Sequence, residues 1–210
     1  MTKVSRRQFV TAATAVGACL SGGGRLSWSA GSEEFDFSKP LDGWDTVSGR
    51  WVTEDVPGVS RGGRALVQRA TDNEFNVIVA PGGPYRNVTA SVRFKPISGR
   101  KDASGGIVFH FSEGHYYLVR ANALEDNFRF YYYDLGRRMI TSANVKAPAL
   151  GQWHKLRITA DQNRIQGWLN DQPLIDQRHA RFASGRVGLW TKADSITAFD
   201  DLTVLALDSG

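Results

Sequence analysis

The sequence predicts an all-β protein whose short antiparallel strands pack as a sandwich or a barrel. The first observation is a strict alternation of apolar and polar residues, seen most clearly in VTASVRFK at 88–95. Such a period of two is typical of a strand with one buried face. The second is the absence of a convincing helical period after Phe35. Many strands without helices between them favour a sandwich or a barrel.

The same alternation recurs along the chain and defines each predicted strand in order. The segments that show it are Phe75–Val79, Val88–Lys95, Ile107–Phe111, Tyr117–Ala121, Phe128–Tyr132, Leu156–Ile158, Ile165–Leu169 and Val187–Leu189. Clusters rich in Gly, Pro, Asn and Asp separate them, such as PGGP at 81–84 and NDQP at 170–173. These residue types favour turns. We therefore expect a single β domain over residues 32–210.

Length and charge exclude several classes of protein. The 210 residues carry a formal charge of +5, but residues 1–30 hold four basic residues and no acid. The other 22 basic and 21 acidic residues leave only +1. A basic stripe for nucleic acid is therefore not expected on the folded domain. No apolar run reaches the roughly 20 residues that span a bilayer, so no transmembrane segment is expected.

The first 30 residues are interpreted as an export signal. Lys3, Arg6 and Arg7 precede a mildly apolar stretch from Phe9 to Leu20. SRRQFV at 5–10 resembles the twin-arginine export consensus, which directs proteins out of the bacterial cytoplasm. An amphipathic first helix is the alternative, but no polar face continues past Gln8. The predicted location is the periplasm, the exterior, or the envelope surface.

The sequence offers two alternative sites for processing of this signal. VGAC at 16–19 resembles a lipobox, which would place a lipid anchor on Cys19, although Gly17 stands where a larger residue is usual. Ser29-Ala30 before Gly31 offers an ordinary peptidase site instead. Cys19 is the single cysteine of the chain, so no disulfide is expected.

The second half of the chain resembles a known family. WHKLRITADQNRIQGWLNDQPLIDQ at 153–177, GRVGLWTKADSITAFDDLTV at 185–204 and YYLVRANALEDN at 116–127 are similar to concanavalin A-like, laminin-G-like jelly rolls. Within these the chain resembles the secreted bacterial group related to the 3-keto-disaccharide hydrolase domain. The resemblance implies two antiparallel sheets packed face to face, one of which forms a groove that many relatives use for sugars.

Strand alternation sorts the side chains that would line such a groove. If the apolar residues face the core, the opposite face carries residues suited to sugars, because rings pack on sugar C–H faces and planar groups bind hydroxyls. The predicted binding residues are Arg120, Asn122, Arg129, Tyr131, Trp190 and Lys192. The alternative is that exposed aromatic residues here serve only strand propensity and cross-strand pairing.

His110 is the predicted catalytic base if the protein is an enzyme. Alternation places it on the groove side between Phe109 and Phe111, and imidazole titrates near neutral pH. The resemblance implies a substrate with a 3-keto sugar, where a base removes the proton beside the ketone and the glycosidic group leaves. Glu125 and Asp126 are adjacent in a predicted turn, which does not suit a pair of catalytic carboxylates. A structural histidine is the alternative for His110.

A structural calcium ion is the one predicted cofactor. Related jelly rolls often bind calcium near the joined termini, which points to Asp200 and Asp201 with Asp36 as a further ligand. The alternative is that these aspartates end a strand and pair with an arginine.

Three functions follow as expectations. The first is an exported carbohydrate-binding jelly-roll domain. The second is a hydrolase of 3-keto glycosides with His110 as base, and the third is an envelope module that binds another protein.

Overall fold

A computed structural model describes residues 31–208, which form fifteen strands and no helix. The predicted export signal and Cys19 lie outside these residues. No helix that could cross a membrane occurs in the described part of the chain. The strands are β1 Ser32–Phe35, β2 Asp45–Ser48, β3 Trp51–Asp55, β4 Arg64–Gln68, β5 Phe75–Val79, β6 Val88–Ser98, β7 Ser104–Ser112, β8 His115–Asn122, β9 Glu125–Tyr133, β10 Arg137–Asn144, β11 His154–Asp161, β12 Arg164–Leu169, β13 Gln172–Arg178, β14 Arg186–Lys192 and β15 Ile196–Ala206.

The strands form two sheets in which every pairing is antiparallel. One sheet has eight strands in the order β13-β12-β11-β6-β15-β4-β3, and β1 also pairs with β15. The other has seven strands in the order β10-β9-β8-β7-β14-β5-β2. The predicted two-sheet antiparallel sandwich is therefore confirmed.

The main core lies between the two sheets and follows the predicted alternation. In β6 buried and half-buried residues alternate from Val88 to Pro96. Large rings from both sheets, among them Phe94, Phe109, Phe130 and Phe199, fill this core and are fully buried. Because side chains of a strand point alternately to its two faces, the remaining residues of the seven-stranded sheet form a second, outer face.

Candidate functional site

The outer face of the seven-stranded sheet carries an apolar layer of its own. Val108 pairs with Leu118 and Leu118 with Tyr131, so three neighbouring strands place these side chains side by side. With Val77, Val79, Tyr116 and Trp190 they form a buried cluster separate from the main core. We call the polar and aromatic groups above this layer the arginine–tyrosine face: Arg120, Arg129, Tyr131, Tyr133 and Arg137.

A hydrogen-bonded network around Arg120 organises this face. Its side chain is only 3% exposed. Nη1 donates to Asn127 Oδ1 at 2.8 Å, and Nη2 donates to Glu125 Oε2 at 2.7 Å. Burial raises the pKa of the Glu125 carboxyl, but hydrogen bonds from Arg120 and Asn127 outweigh it and lower the pKa overall. Glu125 is therefore ionised at neutral pH and holds Arg120 in one orientation.

Glu125 and Asn127 were not among the predicted site residues, and Glu125 was expected in a turn. The structure places both in β9, and the turn before it is only Ala123-Leu124. The signal available in the sequence was the spacing of Glu125, Asn127 and Arg129, which alternation brings to one face.

Aromatic rings and two further arginines complete the face. Tyr133 stacks on Tyr116 with ring centroids 5.1 Å apart and nearly parallel planes. Arg129 Nη1 donates to the Tyr131 hydroxyl at 3.2 Å. The guanidinium of Arg137 lies 4.7 Å above the Tyr131 ring, within the range of a cation–π contact. Rings beside planar donors are suited to sugars.

Three predicted binding residues take positions that alternation alone does not reveal. Trp190 is on the outer face as predicted, but it is fully buried and stacks on Phe75 at 5.7 Å, so it offers no open ring to a ligand. Asn122 is also buried, and its Oδ1 accepts from the backbone of Ala103 and Leu124. Lys192 Nζ lies 3.7 Å from Asp102 at the margin of the face.

His110 does not face the arginine–tyrosine face, which corrects the prediction. A bulge interrupts the pairing of β7 with β8 after Phe109, and His110 takes a φ of 49°. The bulge carries Phe111 to the outer face, stacked on Tyr116, and leaves His110 beside Tyr117 of the main core. An extra residue in a strand reverses the alternation beyond it.

The ring of His110 is held by two backbone carbonyls. Nδ1 lies 3.0 Å from Phe182 O, and Nε2 lies 3.1 Å from Arg86 O. Burial lowers the pKa of this imidazole, although both carbonyls raise it. Because each ring nitrogen lies against a backbone carbonyl, His110 bridges two loops and is not placed to act as a base.

The predicted calcium ligands hold other partners. Asp200 is fully buried and accepts from Arg93 Nη1 at 2.8 Å and from Ser60 N at 2.7 Å. Asp201 accepts from Arg61, while Asp36 accepts from its neighbour Ser38. Within residues 31–208 no three His, Cys, Asp or Glu side chains converge as a metal site. These contacts match the arginine pairing given above as the alternative, and calcium binding stays a prediction.

A second candidate site is a cleft of about 690 Å³ between the β7–β8 turn and the loop at 179–185. Its lining includes His110, His115, Asp134 and Arg181. His115 Nδ1 lies 2.9 Å from Asp134 Oδ1, and Arg181 contacts the other oxygen of that carboxylate. The guanidinium lowers the pKa of Asp134, so the carboxylate is charged and can orient the imidazole. This pair was not predicted from the sequence.

The fold and the outer face together define a class of protein, the antiparallel jelly-roll sandwich. Carbohydrate-binding module CBM66 from Bacillus subtilis has this fold, with a TM-score of 0.66 at 20% identity over 80% of this chain and 98% of that one. Domain 4 of AbnA, a GH43 extracellular arabinanase from Geobacillus stearothermophilus solved with arabinotriose, gives a TM-score of 0.52 at 13% identity over 76% of each chain.

Residues 33–205 match the 3-keto-alpha-glucoside-1,2-lyase-like domain, and the chain belongs to that family. The predicted family relationship is therefore confirmed. The chain is also 26% identical over 175 residues to levanase from Bacillus subtilis (strain 168). That match covers 80% of this chain but only 23% of levanase, so the similarity concerns one part of the larger protein.

Proposed function

We propose that this protein is an exported carbohydrate-binding jelly-roll domain that binds sugar on the arginine–tyrosine face. One observation carries the proposal: a buried arginine network and a layer of aromatic rings occupy the same sheet face. Tyr133, which is partly exposed and stacks on the buried Tyr116, supplies apolar surface for a sugar, while guanidinium groups supply fixed donors for its hydroxyls. Two proteins that share the fold support the proposal: CBM66 is a carbohydrate-binding module, and the arabinanase domain was solved with arabinotriose.

The test is titration calorimetry with a panel of neutral and acidic oligosaccharides. We expect at least one to bind, and Arg129→Ala to weaken that binding about tenfold, because charged hydrogen bonds contribute about 1.5–3 kcal/mol. Arg157→Ala is the matched control. Arg157 packs 4.1 Å above Trp168 on the eight-stranded sheet, so its loss leaves the proposed site intact. Equal weakening by both variants, or no binding at all, would contradict the proposal.

The His115–Asp134 pair favours a second candidate function, elimination from a 3-keto glucoside. The family description names a lyase for such substrates. Donation from His115 Nδ1 to Asp134 leaves Nε2 with a lone pair, and the side chain is 39% exposed in the cleft. The imidazole would remove the proton on the carbon beside the ketone. The electron pair of that C–H bond then forms a C=C bond as the glycosidic C–O bond breaks, and the leaving oxygen takes up a proton.

Incubation with a 3-keto disaccharide distinguishes the two candidates. If the cleft is catalytic, the released monosaccharide appears with the wild type and falls by about 10²-fold or more in His115→Gln, since general bases contribute 10²–10⁴. His154→Gln is the control, because His154 lies on β11 against Ala149 and Asn170. Unchanged release in His115→Gln would reject this assignment of the base.

A further inference from the structure

The arginine–tyrosine face and its margin hold more positive than negative charge. Four cations belong to this surface: Arg120, Arg129, Arg137 and Lys192. Glu125 lies 2.7 Å from Arg120 and 3.6 Å from Arg129, and Asp102 lies 3.7 Å from Lys192. Glu74 is near enough to Tyr116 for its charge to act on that hydroxyl. Even with Glu74 counted, four cations face three carboxylates, so one positive charge is in excess.

Arg137 is the cation of this surface that has no carboxylate beside it. Among residues 31–208, no carboxylate lies within 4 Å of its side chain, whereas Arg120 and Arg129 share Glu125 and Lys192 has Asp102. Its guanidinium is held over two rings, 4.7 Å from the Tyr131 centroid and 5.2 Å from that of Phe75. A stacked guanidinium keeps its in-plane N–H groups free to bind an anion from the side. Arg137 is therefore oriented but has no anionic partner.

Buried hydrogen-bond donors of the same face also lack a partner. Asn122 Nδ2 and Arg129 Nε are buried and make no hydrogen bond to any described residue. Asn122 is 1% exposed, and it lies on the face of β8 that also carries Leu118 and Arg120. Most buried polar groups in native proteins are hydrogen-bonded. Both orphan groups are donors, so the missing partner is a hydrogen-bond acceptor.

We propose that the glycan bound by this face is anionic, with a carboxylate or sulfate held by Arg137 and Arg129 and the sugar ring packed on Tyr133. This inference rests on the proposed carbohydrate-binding function. A guanidinium matches the planar geometry of a carboxylate and forms charge-assisted hydrogen bonds with either anion. Arg120 stays with Glu125 and positions the network, because that pair is already neutral and hydrogen-bonded.

The experiment compares each acidic oligosaccharide with its own neutral form. Calorimetry on the full chain would use oligogalacturonate and its methyl ester, and a sulfated galactose oligomer and its desulfated form. We expect one acid of the panel to bind about tenfold or more tightly than its neutral form. Arg137→Gln should remove most of that difference, because it replaces the guanidinium that has no carboxylate beside it. Which pair shows the difference identifies the anion.

Arg138→Gln is the matched control, since Arg138 is the next residue of the same strand and is exposed on its other side, opposite Tyr132. It should keep the full preference for the acid. Equal binding of acid and neutral forms, with both weakened by Arg129→Ala, would overturn the anionic ligand while leaving the proposed function standing. Absence of binding by every sugar would overturn both. A preference for the acid that survives Arg137→Gln would also reject the inference.

Discussion

His110 shows how one bulged residue changes the face on which the next side chains of a strand lie. Its φ of 49° places it in a left-handed conformation that most residues avoid, inside the bulge of β7. The ring then reaches two backbone carbonyls on different loops, Arg86 O and Phe182 O. A neutral imidazole donates only one hydrogen bond, so one of the two carbonyls faces a ring nitrogen without a proton.

The histidines at this end of the sandwich make stability depend on pH. Burial lowers the pKa of His110 and of His179, whose Nδ1 lies 2.7 Å from the Tyr117 hydroxyl. A lowered pKa means that the unfolded chain takes up protons first as the pH falls below about 6.5. The contribution of these histidines to the free energy of unfolding is therefore fully present above that pH and decreases below it. We expect a loss on the order of 1 kcal/mol between pH 7 and pH 5, measured by urea denaturation.

His179→Asn should reduce this loss, because an amide oxygen can accept the Tyr117 hydrogen bond without titrating. His154→Asn, on β11, serves as the comparison and should keep the wild-type dependence. A wild-type stability that stays constant or rises between pH 7 and pH 5 would contradict the assignment.

At the scale of elements, the hairpin of β8 and β9 shows what the sequence can and cannot predict. Alternation assigns the right faces to Arg120, Arg129 and Tyr131, because period two is a property of each strand alone. The bulge that pairs Asn122 with Glu125, beside the Ala121–Phe128 pair, shifts the register by two residues. This shift brings the His115 end of β8 opposite Asp134. The strand propensities of the residues do not predict such a shift. Burial of Trp190 was equally hidden, since alternation indicates a face but not what covers it.

The loop between β3 and β4 is attached to the sheet by Asp200. This carboxylate accepts from Ser60 N, Ser60 Oγ and Arg93, which join the loop to β15 and β6. Asp200→Ala leaves Arg93 and the Ser60 amide without their partner, so we expect a loss of about 3 kcal/mol in the free energy of unfolding. Denaturant titration measures it.

Asp176→Ala is the control for that substitution. Asp176 pairs with Arg164 at 2.6 Å, but both side chains are about half exposed. A surface ion pair contributes about 0–1 kcal/mol. Similar losses in the two variants would show that burial does not make the Asp200 contacts more stabilising than a surface ion pair.

At the scale of the whole molecule, the seven-stranded sheet is apolar on both faces. The main core covers one face, and the Trp190 layer with the arginines covers the other. The ligand site proposed here therefore rests on close-packed side chains, which limit how far Arg120 can move. A rigid site loses little entropy when it binds a ligand.

Export is the prediction that concerns the entire chain. We propose that residues 1–30 direct the protein through the twin-arginine route, and replacing both Arg6 and Arg7 by Lys should retain it in the cytoplasm. Fractionation of cells followed by immunoblotting measures the distribution. Lys3→Arg is the control, because it keeps the charge and leaves the pair intact. Normal export of the double variant would reject the twin-arginine assignment.

The position of β15 determines when the protein can fold. Among the fifteen strands of residues 31–208, β15 comes last in chain order, yet it lies between β6 and β4 and also pairs with β1. The larger sheet therefore has no continuous centre until β15 is in place. Because β15 pairs with strands far away in sequence, its docking is expected to come late in folding. A variant that lacks β15 would lose an interior strand, so it should be cleared by proteolysis and fail to accumulate.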